Sequence, residues 1–319
     1  MTQKKTAKKV LYSLFAGATI LTLGVGFVLG DLYGPDLRGL FFRNSKTART
    51  LSENRTNTTS ISDVDIDIES LTKLVLPLEG IELPARWGDL GKQLVQKGVI
   101  DRNQLLSLYK ERPGFGPDEQ KLVDESENGK IKITADNAGF ILNMFWALGL
   151  SNKNEILNSG PMSDKEYGGA GNFASTGGWT LASGDAMDHF SKHEFIKLTY
   201  DQQILVENVS KGIFRPCCNN STYFPDCNHG MAMFGLLELM ASQGTSEADM
   251  YKMALQVNAY WFPTTYLTLA KYELKNGISW ENVDPKEMLS AQYSSSKGYR
   301  AIQSLVQPVR QSGGGGCGV

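Results

Sequence analysis

The residue types that most often bind metal ions or act as nucleophiles are concentrated in one short part of this chain. All three histidines lie between residues 185 and 233, and so do three of the four cysteines. Thiolate sulfur and imidazole nitrogen are ligands that suit Zn²⁺ and Cu⁺. The candidate ligands are Cys217, Cys218, Cys227, His229, His189 and His193. We therefore expect a functional site in this segment and a scaffold in the rest of the chain.

The cysteine end of the segment is the more specific part. Cys217 and Cys218 are followed after eight residues by Cys227, and His229 comes two positions later. Four such ligands close together in the sequence predict a Zn or Cu site. Cys227 and His229 also fall at the start of a predicted helix, where the helix dipole lowers the pKa of a thiol.

His189 and His193 are the second group of candidate ligands. They lie four positions apart in a segment predicted to be a helix over residues 185–198, so both side chains should project from one face. The next predicted helix ends at Gly212, and a short connection there would bring the cysteine loop back beside the histidine pair. Six ligands exceed the four that Zn usually takes. The cysteines and His229 are therefore the primary candidates, and the histidine pair comes next.

Two other interpretations of the cysteines stay open. Cys218 and Cys227 can form a disulfide that closes a loop of about ten residues, with Cys217 paired to Cys317. Four cysteines permit three pairings, and the sequence does not choose among them. A thiol with a low pKa can also act as a redox group or a nucleophile.

The same metal site is compatible with hydrolytic catalysis. Three protein ligands around Zn leave one coordination position for water, which a neighbouring carboxylate can deprotonate. The candidate bases are Glu194, Asp188 and Asp226. No substrate is indicated, so the sequence leaves open whether the chain is an enzyme.

Composition gives no reason to expect a nucleic-acid partner. The 319 residues carry a formal net charge of -2, whereas proteins that bind nucleic acid present a basic face. Residues 169–174 have the spacing of a dinucleotide-binding loop, but no strand precedes them and no helix follows. We interpret this segment as a loop whose glycines let the backbone approach the site closely.

The N-terminus predicts a membrane anchor. Four lysines at positions 4, 5, 8 and 9 precede residues 10–30, an uncharged apolar segment. About 20 apolar residues span a bilayer as a helix, and flanking lysines keep the N-terminus in the cytoplasm. A cleaved signal peptide and a buried helix are the alternatives. With the anchor uncleaved, residues 1–9 are a cytoplasmic tail and the C-terminal domain is extracytoplasmic.

The scaffold is predicted to be all-α. Residues 31–75 include a segment rich in Ser, Thr and Asn, residues 44–62, and should form a flexible stalk. A small helical hairpin is expected within residues 76–115. Its core, residues 87–112, packs either on the main domain or on a protein partner. A loose linker over residues 113–130 would precede a multi-helix Cys/His domain over residues 130–310. Residues 311–319 form a glycine-rich tail that contains Cys317.

These patterns predict a membrane-anchored, extracytoplasmic, helical protein with a Cys/His site for a Zn or Cu ion. The first alternative is a metal-dependent hydrolase or a thiol-redox protein that uses the same residues. The second is a structural or partner-binding ectodomain whose cysteines form disulfides.

Overall fold

The computed structural model describes residues 67–309. Several predicted features lie outside the described residues: the cytoplasmic tail (1–9), the membrane anchor (10–30), the stalk as far as residue 66, and the glycine-rich tail with Cys317 (311–319). Between residues 67 and 309, no helix combines the length and the apolar character needed to cross a membrane.

The described part of the chain is mostly helical, as the sequence predicted. Short 3₁₀ helices occupy much of the connection between the sixth and seventh α-helices. The α-helices are Ile68–Val75 (α1), Leu90–Gln96 (α2), Arg102–Tyr109 (α3), Pro117–Asp124 (α4), Ala138–Ser151 (α5), Glu155–Ser159 (α6), Tyr200–Gly212 (α7), Asn228–Ser242 (α8), Glu247–Trp261 (α9), Pro263–Lys275 (α10), Pro285–Met288 (α11), Ala291–Ser294 (α12) and Ser296–Gln303 (α13).

Helices α5 and α8 form the centre of the fold. Both are apolar on nearly all sides and almost completely buried, which is the pattern of a central helix. Their backbones approach closely because each contributes a glycine at the crossing. A Cβ atom on Gly149 would lie 2.2 Å from the Met231 carbonyl oxygen, and one on Gly235 would lie 2.5 Å from the Phe145 carbonyl oxygen.

Two strands depart from the all-α prediction. Ile81–Gly88 (β1) and Asn128–Ile133 (β2) pair antiparallel, with Ile81 opposite Ile133 and Gly88 opposite Asn128. In β1 the buried positions alternate with more exposed ones, which is the period of a strand with one covered face. Trp87, expected at the start of the helical hairpin, is instead one of the buried residues of this strand.

The helical hairpin is present as α2 and α3, and it packs within the chain. Leu94 and Leu105 are fully buried. The segment expected to be a loose linker instead forms α4 and the beginning of β2. Arg102 on α3 donates two hydrogen bonds of 2.6 Å to Asp124 at the end of α4. This contact fixes the supposed linker to the hairpin.

The stalk prediction is wrong for residues 67–75. Asp67 accepts a hydrogen bond from the Glu69 amide as the N-cap of α1. Leu71 and Val75 are buried on one face of that helix, and α1 packs against α10. The four-residue spacing of these apolar side chains is that of an amphipathic helix.

Candidate metal centre

The first two cysteines occupy a tight turn in the loop between α7 and α8. The Cys218 amide donates to the Arg215 carbonyl oxygen at 3.3 Å, so residues 215–218 form a β-turn. Pro216 takes the second position, where the fixed φ of proline favours such a turn. Cys217 is exposed and Cys218 is partly buried. The turn therefore keeps Cys217 at the surface and holds Cys218 beside it.

The third cysteine returns to this turn from the start of α8. Cys227 is the N-cap of that helix, and its Sγ accepts a hydrogen bond from the Gly230 amide at 3.4 Å. The Sγ atoms of Cys217 and Cys227 are 3.5 Å apart, and the Sγ atoms of Cys217, Cys218 and Cys227 all lie within 4.8 Å of one another. All three are free thiols, so no disulfide joins the described cysteines.

A buried arginine that the sequence reading missed organises the cysteine loop. Arg215 is 1% exposed, and its Nε donates to Cys227 Sγ at 3.0 Å. Its terminal nitrogens donate to the Asn220 and Phe224 carbonyl oxygens, each at 3.0 Å, and to Asp226 Oδ1 at 2.6 Å. The second Asp226 oxygen, Oδ2, accepts a hydrogen bond from the side-chain amide of Asn220 at 2.9 Å. One guanidinium thus connects the turn, the loop and the N-cap cysteine.

Gly230 gives the guanidinium the space that it occupies. A Cβ atom at this position would lie 2.4 Å from Arg215 Cζ and 2.5 Å from Nη2. Because four hydrogen bonds hold the buried guanidinium, it has little freedom to move away. The glycine in the first turn of α8 is therefore part of the site.

The charges and hydrogen bonds of the cluster favour one thiolate. Hydrogen bonds from the Cys217 and Cys218 thiols, followed by the charge and hydrogen bond of Arg215, hold the pKa of Cys227 well below its usual range, although burial opposes them. The pKa of Cys217 is raised by its hydrogen bonds with Cys218 and Cys227. For Cys218, the hydrogen bond with Cys217 lowers the pKa, but the bond with Cys227 and burial together raise it to about 11.

The negative groups around Arg215 keep this buried side chain charged. Burial by itself lowers the pKa of the guanidinium, but the charges of Cys227, Cys218 and Asp226 raise it above the ordinary value for arginine. A buried cation is tolerated when it is paired and fully hydrogen-bonded. The arginine and the acidic partners therefore stabilise one another in their charged forms.

His229 does not belong to the cluster of close ligand atoms. Among the described residues, that cluster contains the three cysteines. The His229 ring instead lies against Phe262, with ring centroids 4.3 Å apart, and its Nδ1 is 3.1 Å from Asn228 Oδ1. Burial lowers the pKa of His229 to about 4, against the opposing charge of Cys227. The imidazole is neutral at pH 7.

His189 and His193 form a separate pair, and the helix predicted over residues 185–198 is wrong. A 3₁₀ helix covers Ala186–Asp188, after which the backbone turns at Ser191 with a φ of 50°. His193 then pairs with the residues just after α5, where its carbonyl oxygen accepts a hydrogen bond from the backbone amide of Lys153 at 2.7 Å. The two rings nevertheless meet, with His189 Nδ1 3.0 Å from His193 Nε2. Neither belongs to the cysteine cluster.

Of the three candidate bases, Asp226 is the one in hydrogen-bonding contact with the cluster. Its Oδ1 is 3.9 Å from Cys218 Sγ, but both carboxylate oxygens already accept hydrogen bonds from Arg215 and Asn220. Glu194 is exposed and pairs with Lys153 at 3.5 Å. Asp188 is exposed at the end of its 3₁₀ helix. The hydrolase alternative therefore gains no base that is poised to act on a bound water.

Residues on either side of the glycines at positions 169 and 171 contact the cysteine loop. The Ser175 amide donates to the Asp226 carbonyl oxygen at 3.3 Å. The rings of Tyr167, Phe173 and Phe224 also contact one another, with centroids 5.3–5.4 Å apart. These contacts join the glycine-rich loop to the cysteine loop.

Comparison of the chain with protein-family models, curated proteins and solved structures found no match in any of the three. What the site can do is therefore inferred from its own geometry and chemistry.

Proposed function

We propose that this protein binds a thiophilic metal ion, Zn²⁺ or Cu⁺, through the Sγ atoms of Cys217, Cys218 and Cys227. The observation that carries the proposal is the convergence of the three sulfur atoms to within 4.8 Å of one another. Cys217 and Cys218 lie in a turn, and Cys227 is a helix N-cap. The eight residues between them form a loop that brings the two elements together. In this proposal the three histidines lie outside the set of metal ligands.

The spacing of the sulfur atoms suits a shared ion. Zn–S bonds of about 2.3 Å in a tetrahedral arrangement place two sulfur atoms about 3.8 Å apart. The Cys217 and Cys227 Sγ atoms are 3.5 Å apart, so this pair needs a shift of only about 0.3 Å, and no two of the three sulfur atoms are more than 4.8 Å apart. Three protein ligands leave one position of a tetrahedral Zn²⁺ open for water or a further ligand.

Arg215 supports a negatively charged metal–thiolate group at this place. Three thiolates with Zn²⁺ carry one net negative charge, and with Cu⁺ they carry two. The buried guanidinium supplies one positive charge and donates directly to Cys227. Because uncompensated charge is costly away from water, the charge balance favours Zn²⁺ over Cu⁺.

Replacing Cys217 with serine should abolish tight binding of Zn²⁺. The side chain is exposed, so the substitution removes a ligand without disturbing a packed interior. The expected loss of affinity is more than about 100-fold, which exceeds the 10–100-fold effects typical of residues that only support ligands. Affinity is measured by competition with a chromophoric chelator, using purified full-length protein under reducing conditions, and is repeated with Cu⁺.

Cys317→Ser is the matched control, because it removes the remaining cysteine of the chain. It should bind one equivalent of metal with unchanged affinity. His229→Gln should remain close to the wild type as well. A wild-type protein that binds neither ion in the micromolar range would end the proposal, and so would a Cys317 variant that loses as much affinity as the Cys217 variant.

We also propose that residues 10–30 anchor the protein in a membrane and that the metal centre lies on the extracytoplasmic side. The support is the apolar length of this segment and the lysines that precede it. Alkaline carbonate should leave the full-length protein in the membrane fraction and should release a variant that lacks residues 1–30. Protease added to intact cells should degrade the C-terminal domain. Protection of that domain would reverse the topology.

A further inference from the structure

We propose that Cys217 and Cys227 exchange with external disulfides to form a reversible intramolecular disulfide, and that this oxidation excludes the metal ion. The exchange step depends on the geometry of the two thiols alone. The exclusion of metal rests on the proposed function, since it requires that the same sulfur atoms bind the ion.

The two sulfur atoms are already in non-bonded contact. They lie 3.5 Å apart, and a disulfide bond is about 2.05 Å long. One of the two side chains belongs to an exposed residue, which leaves it room to rotate towards the other. The turn at residues 215–218 and the start of α8 hold both cysteines in place. No large rearrangement of the loop is therefore needed.

The other pairings are less favourable. Cys217 and Cys218 are consecutive, and consecutive Cα atoms are about 3.8 Å apart, which is below the range of about 4.4–6.8 Å found in disulfides. The Cys218 sulfur is directed into the loop, at 3.8 Å from the Asn220 carbonyl oxygen and 3.9 Å from Asp226 Oδ1. Cys218 is thus placed as a metal ligand that stays reduced when the other two are oxidised.

The difference in exposure assigns an order to the two steps. The exposed Cys217 passes its proton to the neighbouring Cys227 sulfur as it attacks one sulfur of a small external disulfide, and the S–S bond of that molecule breaks. A mixed disulfide forms on Cys217, and one external thiolate leaves and takes up a proton. The Cys227 thiolate then attacks Cys217 Sγ and expels the second external thiolate. The two protein sulfur atoms lose two electrons in all, and the external disulfide is reduced to two thiols.

The loop can keep its conformation after oxidation because Arg215 has other partners. The guanidinium keeps its bonds to Asp226 and to the Asn220 and Phe224 carbonyl oxygens. It loses the negative charge on Cys227, which weakens one of its four contacts. The metal site is affected more strongly than Arg215, because the disulfide consumes two of the three sulfur ligands. Oxidation should therefore release the ion while the scaffold remains folded, so that reduction restores the site.

The test uses the full chain carrying Cys317→Ser, treated with oxidised glutathione with and without one equivalent of Zn²⁺. Intact mass and peptide mapping should show the loss of two hydrogens and a Cys217–Cys227 bond. Bound Zn²⁺ should slow the reaction at least ten-fold, and a chromophoric chelator should detect one ion released for each disulfide formed. Adding Cys218→Ser should preserve the disulfide, whereas adding Cys227→Ser should stop the reaction at a glutathione adduct on Cys217.

A disulfide that contains Cys218, or no disulfide at all, would overturn the exchange step. Tight Zn²⁺ binding that neither slows oxidation nor is lost by it would overturn the exclusion and the assignment of Cys217 and Cys227 as ligands, and it would leave the exchange step standing. Formation of the Cys217–Cys227 bond in a chain that binds no metal would overturn the proposed function and support the exchange. Trapping of the adduct on Cys217 in the Cys227→Ser chain distinguishes the ordered reaction from random oxidation.

Discussion

Replacing Arg215 with methionine should lower the free energy of unfolding by about 3–5 kcal/mol, the usual cost of removing one partner of a buried ion pair. The guanidinium is 1% exposed and donates four hydrogen bonds. Methionine is of similar length and fills much of the space, but it satisfies none of the acceptors. Asp226 and Cys227 would be left without their cation. The measurement is the urea dependence of unfolding followed by circular dichroism.

Two further variants separate the loss of the ion pair from the loss of packing. Arg86→Met removes an arginine whose side chain is exposed, and it should change stability by less than about 0.5 kcal/mol. The double variant Arg215→Met with Asp226→Asn also removes the stranded carboxylate, so it should be less destabilised than Arg215→Met alone. If Arg215→Met costs no more than Arg86→Met, the guanidinium does not support the loop as described.

Helix boundaries were predictable where the signal was local. The helix that was predicted to start at Cys227 and His229 begins at Asn228 in the structure, with Cys227 as its N-cap. Thr199 and Gln202 form a capping box at the start of α7, and Asp284 caps α11 before Pro285. Each of these signals uses side chains within four residues of the helix end. Such contacts can be read from the sequence without knowledge of the fold.

The errors occurred where distant backbone groups compete with local ones. The segment 185–198 has acceptable caps for a helix, but the amide groups of Ser191, Lys192 and His193 donate to carbonyl oxygens of Leu150 and Ser151 at the end of α5. Likewise, Ile81 and Ile133 pair across fifty residues. In both cases the partner is distant in the sequence and cannot be identified from the segment itself. The periodicity of the segment alone was therefore insufficient to predict its structure.

The candidate site was predictable in its residue types but not in its grouping. The spacing of Cys217, Cys218 and Cys227 indicated a cluster, and the structure brings these three together. The histidines were included because they are near in sequence, yet His189 and His193 pair with each other instead. Arg215 was missed because arginine is usually exposed. Its position directly before Pro216 and Cys217, with one acidic residue in the same loop, was the available signal.

The contribution of a single buried carboxyl group on α8 to the stability of this protein should fall as the pH rises from about 4.5 to about 8. Glu238 is 0% exposed, and its Oε1 accepts from the side-chain amides of Asn152 and Asn154, each at 2.8 Å. Its Oε2 is buried without a hydrogen-bond partner. Burial raises the pKa of Glu238 to about 8, although the two amides oppose the shift. The folded state therefore retains this proton at pH 7.

The sign of the effect follows from which state binds more protons. Between pH 4.5 and 8 the unfolded chain has lost the Glu238 proton and the folded chain keeps it, so raising the pH favours unfolding. In this window the Glu238 contribution lowers the free energy of unfolding by about 1.4 kcal/mol for each pH unit. The total is about 5 kcal/mol. His229 has the opposite effect: its contribution to stability increases as the pH rises from about 4 to 6.5, because burial lowers its pKa to about 4.

Glu238→Gln isolates the contribution of this carboxyl group. Glutamine has the shape of the protonated acid and does not titrate, so the difference in unfolding free energy between variant and wild type cancels His229 and all other groups. That difference should be nearly constant below pH 4.5 and should move in favour of the variant by several kcal/mol as the pH approaches 8. Glu281→Gln changes an exposed glutamate and should show no such trend. A difference that stays flat from pH 5 to 8 would mean that Glu238 is ionised in the folded protein, and the buried Oε2 would then need a partner that the described residues do not supply.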